Sequence, residues 1–224
     1  MTEQLGLDLP SVPALGRADF LIAPSNAVAL AMIENTQIDK LVLTGPDGSG
    51  KTHLAHVWGQ IRGAKILPAT DITEDMVPDL ARGSIAIEDV PGIAEDPAAQ
   101  TALFHLHNLL LAEGHALLLT GRPVVRDWGL SLPDLSSRIS AAPAVALNAP
   151  DDTLLSAVLA KLFADRQLTP KADLIPYLIR RMDRSFAAAG ELVARLDKAS
   201  LAQKRPLSRT LAAGVLDKDD TSTP

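Results

Sequence analysis

Leu41-Val42-Leu43-Thr44-Gly45-Pro46-Asp47-Gly48-Ser49-Gly50-Lys51-Thr52 is the stretch from which the rest of the chain can be read. It opens with a short apolar run, the pattern of a strand buried on both faces of a parallel sheet. It closes by matching G-x-x-x-x-G-K-[ST] through Gly45, Gly50, Lys51 and Thr52. Downstream, Leu54, Val57, Trp58 and Ile61 recur at spacings of three and four, which predicts a helix from Thr52 to Ile61. Strand, glycine-rich loop and helix in that order make a phosphate cradle, because backbone N–H groups converge on an anion and the positive helix end faces it. Gly45, Pro46, Asp47, Gly48, Ser49, Gly50, Lys51 and Thr52 are therefore the candidate nucleotide-binding residues. Lys51 is expected on the β- and γ-phosphates and the Thr52 hydroxyl on Mg²⁺. The cofactors expected are ADP or ATP with Mg²⁺.

Working outward, Ala27–Ile33 reads as a helix opened by Ser25 and Asn26 after Pro24. Ile66-Leu67 and Ile85–Ile87 are further buried-strand candidates, 99–113 a helix, and Ala116–Thr120 another apolar strand. Alternating strands and helices predict a doubly wound α/β layer. From about Pro150 the strand signals stop. Helices over 151–165, 170–182, 185–202 and 207–215 are expected instead, punctuated by Pro170, Ser185 and Pro206. The fold class is thus α/β, a P-loop parallel-sheet domain at 15–150 followed by a small all-helical lid at 151–216. Residues 1–14, broken by Gly6, Pro10 and Pro13, read as a flexible arm, and the charged stretch 217–224 as a disordered tail.

Composition sets limits on the chemistry. The 224 residues are 47% hydrophobic, enough for a substantial core, and contain no cysteine, which removes disulfides and thiolate metal sites. Charges of 21 basic against 27 acidic residues, net -6, argue against holding duplex DNA by phosphate neutralisation alone. No leader-like terminus or apolar span of membrane length is visible, so a cytoplasmic protein with no membrane partner is expected. His53 and His56 lie three apart on one helix without an evident third ligand, so core or surface roles are favoured over a metal site. His105 and His107 face different sides of their helix, and Trp58 and Trp128 read as packing residues.

A P-loop ATPase also needs acids at the end of a neighbouring strand. Ser84-Ile85-Ala86-Ile87-Glu88-Asp89 offers Glu88 as a metal-side carboxylate and Asp89 to polarise attacking water; the plainer reading is a pair of turn-capping acids. These features, with Leu119-Thr120 and Leu132-Pro133-Asp134-Leu135-Ser136-Ser137-Arg138-Ile139, resemble an AAA+ ATPase of the DnaA initiator group. Within that group the chain most resembles the Hda-type regulatory inactivators. Phe20–Asn26 is similar to the segment beside the nucleobase. Arg180-Arg181-Met182-Asp183-Arg184 and Leu196–Ser200 are similar to the helical lid. The likeness spans about residues 18–216.

The resemblance implies roles residue by residue. Arg138 falls where the family keeps an arginine finger, offered to ATP on a neighbouring subunit. Thr120 falls at the polar position ending the strand, and Arg184 is a candidate phosphate contact from the lid. Gln4-Leu5-Gly6-Leu7-Asp8-Leu9 resembles a clamp-binding peptide, with Gln4, Leu5, Leu7 and Leu9 as partner-binding residues. The implied partners are the DnaA initiator and the sliding clamp of the replicative polymerase, with DNA engaged mainly through the clamp. The implied function is a regulator that stimulates ATP hydrolysis by DnaA and so prevents re-initiation. No helix-turn-helix follows the lid helices, so reading of the major groove is not expected.

Some positions depart from the pattern. Glu88 stands where the family usually has Asp; a longer arm disturbs the near-ideal octahedral geometry that Mg²⁺ demands. Ala187 stands where the lid arginine belongs, so Arg184 or Arg181 must substitute if the lid is to touch phosphate. Gly121-Arg122 lacks the acid that often follows in relatives. A nucleotide-binding scaffold with feeble ATPase activity is the expectation. The rivals are an oligomeric AAA+ loader or remodeller acting directly on DNA, and a P-loop kinase.

Overall fold

The computed structural model describes residues 15–220. Five strands, β1 (Lys40–Thr44), β2 (Lys65–Pro68), β3 (Ile85–Glu88), β4 (Leu117–Gly121) and β5 (Ala144–Ala146), form one sheet in the order β2-β3-β4-β1-β5. Every neighbouring pair is parallel, and the register sets Val42 against Leu119 and Thr44 against Gly121. Side chains alternate across the strands as the pleat requires. Leu41, Leu43, Ala86 and Leu118 pack under α1 (Ala27–Glu34) and α2 (Lys51–Arg62). Val42, Ile85, Ile87, Leu117 and Leu119 pack on the other face, under α3 (Val77–Leu80), α4 (Pro97–Ala112) and α5 (Pro133–Ser140). With both faces covered, the central strands become continuous apolar runs. Trp58 and Trp128 fill the two opposite layers, each 2% exposed.

After β5 the chain is helical: α6 (Asp152–Asp165), α7 (Leu174–Ile179), α8 (Phe186–Gln203) and α9 (Arg209–Asp220). They share a separate core of Leu155, Leu159, Phe163, Leu178, Val193 and Leu211, among others. Asp151 and Ser185 cap α6 and α8 by accepting from Leu154 N–H and Ala188 N–H.

Several local expectations differ from what is observed. Asn26 occupies the N-cap position of α1 but makes no cap bond; its side chain accepts from Ala23 N–H and donates to Leu21 O, knotting the preceding segment. β2 is an edge strand and only half-buried, so Ile66-Leu67 lacks the second covered face. β5 is three residues long, too short to register as an apolar run. The helix expected over 170–182 shrinks to α7, and the backbone of α9 continues to Asp220, through the first residues of the expected tail.

Candidate nucleotide site and the Arg138 face

The carboxyl ends of β1, β3 and β4 meet one another, and the lid closes over them. The result is a cleft of about 1110 Å³, large enough for a nucleoside triphosphate. Asp47, Gly48, Gly50, Lys51 and Thr52 form its floor, Glu88, Asp89 and Thr120 one wall, and Phe186, Ala187 and Gly190 of α8 the roof. Leu15, Phe20, Leu21, Leu154, Val158 and Leu162 line an apolar part. His53 turns edge-on to Phe20 there, with ring centroids 5.1 Å apart, and its Nε2 lies 3.0 Å from Gly16 O. His56 stays on its own helix, its Nδ1 2.9 Å from Thr52 O.

The loop suits an anion. α2 begins without a side-chain cap, unlike α4, α6 and α8, so its first N–H groups face the cleft floor unclaimed by a side chain. Gly50, at φ 98°, makes the left-handed turn into α2. Gly48, at φ 64°, could not carry a side chain: a Cβ there would lie 2.2 Å from Ser185 Cβ. That contact, with Phe186 N–H donating to Gly48 O at 2.9 Å, pins the start of α8 on the loop. Lys51 Nζ donates to Gly45 O and Pro46 O, each at 2.8 Å. Burial lowers its pKa, and the charges of Asp89 and Glu88 oppose that shift in part. Asp89 adopts φ 53°, and its N–H donates to the buried Thr120 hydroxyl at 3.2 Å, so the ends of β3 and β4 are tied together. Thr52 and Glu88 both reach the cleft, so these side chains would hold Mg²⁺ beside a bound phosphate, and Lys51 with the α2 amides would hold the phosphates.

Arg138 lies elsewhere. Its carbonyl accepts from Lys40 Nζ at 2.9 Å, at the start of β1, whereas the P-loop leaves the end of that strand. A five-residue strand separates them by roughly 17 Å. The exposed guanidinium rests over the Phe104 ring of α4 at 5.4 Å. Beneath it Lys40 Nζ meets His107 Nε2 at 3.2 Å, and His107 Nδ1 lies 3.4 Å from Asn108 Oδ1. The network assigns a neutral ring that accepts at Nε2 and donates at Nδ1. Burial first and the Lys40 charge second lower the His107 pKa; burial and Arg138 lower that of Lys40. His107 is buried and His105 exposed, on different sides of α4.

Neither arginine named as a lid substitute lines the cleft. Arg184 pairs with Asp152 at 2.7 Å, and Arg181 sits over Tyr177 at 4.7 Å. Ala187 does line it, with a methyl group only. Gln4, Leu5, Leu7 and Leu9 lie outside the described residues, as does 221–224.

No protein-family profile matches the chain. Among solved structures, domain III of the Thermotoga maritima replication initiation protein DnaA aligns with a TM-score of 0.83 at 16% identity, over 94% of this chain and 98% of that one. The fold is the AAA+ P-loop fold of DnaA domain III. AMPPCP-bound DnaA from Aquifex aeolicus aligns at a TM-score of 0.67 and 19% identity, over 81% of this chain and 64% of that one. A Thermotoga maritima RuvB variant aligns at 0.67 and 15%, over 86% and 66%. The chain spans about two thirds of these last two proteins.

Two residues that the sequence did not single out emerge from this geometry. Arg122 lines the cleft and forms an ion pair with Asp47 of the P-loop. Gln100 is fully buried on α4: its amide donates to Ile93 O and Ala94 O at 3.0 and 2.8 Å, and its oxygen accepts from Leu132 N–H at 2.9 Å and Ser131 Oγ at 3.3 Å. It joins the segment after β3 to the start of α5, which carries Arg138. A polar residue amid Ala99, Ala102 and Leu103 was the only signal available.

Proposed function

We propose that this chain is a regulator of replication initiation that binds ADP or ATP with Mg²⁺ in its own cleft and offers Arg138 to the ATP of a neighbouring DnaA molecule. The observation that carries this reading is the position of Arg138, exposed on α5 beside the amino end of β1, whereas the chain's own P-loop leaves the other end of that strand. A cation placed there has no phosphate to serve within its own subunit. In a neighbour's site it would neutralise charge that develops as the terminal phosphoryl group departs. Glu88 and Ala187 support the complementary half, a cleft that holds nucleotide and turns it over slowly. Asp89 and Thr120 would position water at the strand ends if hydrolysis occurs there.

Gln4, Leu5, Leu7 and Leu9 would dock the protein on the sliding clamp, bringing it to DNA indirectly in the cytoplasm. Among the described residues no helix is long and apolar enough to cross a membrane. The test is hydrolysis of DnaA-bound ATP with clamp, DNA and this protein. Stimulation that requires clamp and is lost in Leu5→Ala/Leu7→Ala is expected; equal hydrolysis with and without the protein removes the regulator role.

A second reading, direct action on DNA as an oligomeric ATPase, is favoured by one similar structure, the replication initiator DnaA bound to AMPPCP and single-stranded DNA. Vigorous ATPase activity stimulated by bare DNA, without clamp or DnaA, would select it.

A further inference from the structure

Arg122 follows directly on β4, and its side chain lines the cleft beside Lys51, Glu88 and Asp89. Its guanidinium pairs with Asp47, an acid within the anion-binding loop itself. At the start of α8 the lid presents Ala187, a methyl group, to the cleft. Arg184 and Arg181 are held by Asp152 and Tyr177 outside the cleft. Two lid cations of α6 also line the cleft, but Lys161 is engaged by Asp19 and Asp165, and Arg166 at the end of α6 donates back to Leu162 O on its own helix at 3.4 Å.

We infer that Arg122 discriminates ATP from ADP: it leaves Asp47 for the terminal phosphate and supplies from the sheet side a guanidinium where Ala187 of the lid offers only a methyl group. This rests on the reading of the cleft as a nucleotide site. The chemistry is an exchange of acceptors. Asp47 offers Arg122 a single negative charge, whereas a terminal phosphate offers more charge and two oxygens in the geometry that a planar guanidinium grips in parallel. The Arg122–Asp47 pair is open to water, with side chains 54% and 70% exposed, so leaving it costs little. ADP brings no such group, and Arg122 stays on Asp47. The competing account is that Arg122 merely cancels the charge of Asp47, which would otherwise repel any nucleotide.

Calorimetric titration of the full chain with Mg²⁺ plus either ADP or AMPPCP separates the two accounts. Arg122→Ala is expected to weaken AMPPCP binding roughly tenfold or more and ADP binding less than about threefold. Asp47→Asn, which removes the acid that competes for Arg122, is expected to tighten AMPPCP binding more than ADP binding, and the double variant to keep the loss seen in Arg122→Ala. Arg122→Lys, which keeps the charge without the fork, is expected to recover only part of the preference. Recovery of wild-type AMPPCP affinity in the double variant, or equal losses for both nucleotides, overturns the proposal. Nucleotide binding that Lys51→Ala abolishes and Arg122→Ala spares removes Arg122 alone, whereas a wild-type protein that binds neither nucleotide removes the cleft reading with it. Both side chains are exposed, so the melting temperatures of the Arg122 and Asp47 variants should stay near wild type.

Discussion

The cleft and the Arg138 face are held together by different kinds of contact. Across the cleft, lid and sheet domain meet, among the described residues, through the half-buried ion pair of Lys161 with Asp19 and one backbone hydrogen bond from Phe186 to Gly48, while the Arg122–Asp47 pair on the rim is open to water. The Arg138 face rests on two buried polar side chains, Gln100 and His107, the second meeting the half-buried Lys40 whose ammonium donates to the Arg138 carbonyl. Exposed pairs are weak and exchange readily, whereas buried networks are costly to open. On the proposed function, that difference would leave the lid free to respond to nucleotide and hold in place the helix that carries Arg138.

The largest expected effect tests that division directly. Arg138→Ala should reduce hydrolysis of partner-bound ATP by roughly 10³-fold or more while leaving this chain's own nucleotide affinity unchanged, by rate assay and calorimetry on the same preparation. A loss of its own affinity would merge the two regions. Lys51→Ala is the mirror image, with binding of ADP or AMPPCP falling roughly hundredfold and the fold intact by circular dichroism.

Next comes the support of the face. Gln100→Leu leaves Ala94 O and the Leu132 N–H without this partner and Ile93 O with Asp96 N–H alone, and should cost about 3 kcal/mol in urea denaturation. If partner stimulation survives at a temperature where the variant is folded, α5 does not need this tether. His107 gives a milder, pH-dependent effect. Its folded pKa lies below the ordinary value of 6.5, so its contribution is complete above that pH and is lost as pH falls through the folded pKa. His107→Gln keeps an acceptor for Lys40 and should flatten the acid limb of the stability curve; an unchanged limb would place the titrating group elsewhere.

How far the sequence revealed these two regions depended on the range of the interactions. The P-loop was legible because its geometry is local: a strand, glycines at fixed offsets and a helix start leave their marks within about a dozen residues. The sheet was legible in β1, β3 and β4, which are apolar on both faces, and less so in edge strand β2 or the three-residue β5. Arg122 and Gln100 were not, because their roles arise only when the loop after β4 meets the P-loop and when α4 meets the start of α5. Arg184 shows the same limit: it lies close in sequence to the missing lid arginine, but it pairs with Asp152 and does not line the cleft. The tail boundary at 217 rested on composition, which does not register that a final helical turn tolerates charge.

The smallest effect sharpens the view of the lid. Lys161 is raised above its ordinary pKa by hydrogen bonds from its ammonium to Asp165 and Asp19, and the second of these joins the Arg17–Asp19 turn to α6. A raised lysine pKa stabilises the fold fully below the unfolded value of 10.5 and loses that contribution as pH rises through the folded value, so no dependence is expected near neutrality. Salt is the better lever. Asp19→Asn should lower stability by about 0.5 kcal/mol in dilute buffer and by less in roughly 1 M salt, with nucleotide affinity shifting less than about threefold. A loss several times larger and insensitive to salt would mean that this pair is a structural lock, and that the lid is held as firmly as the face that carries Arg138.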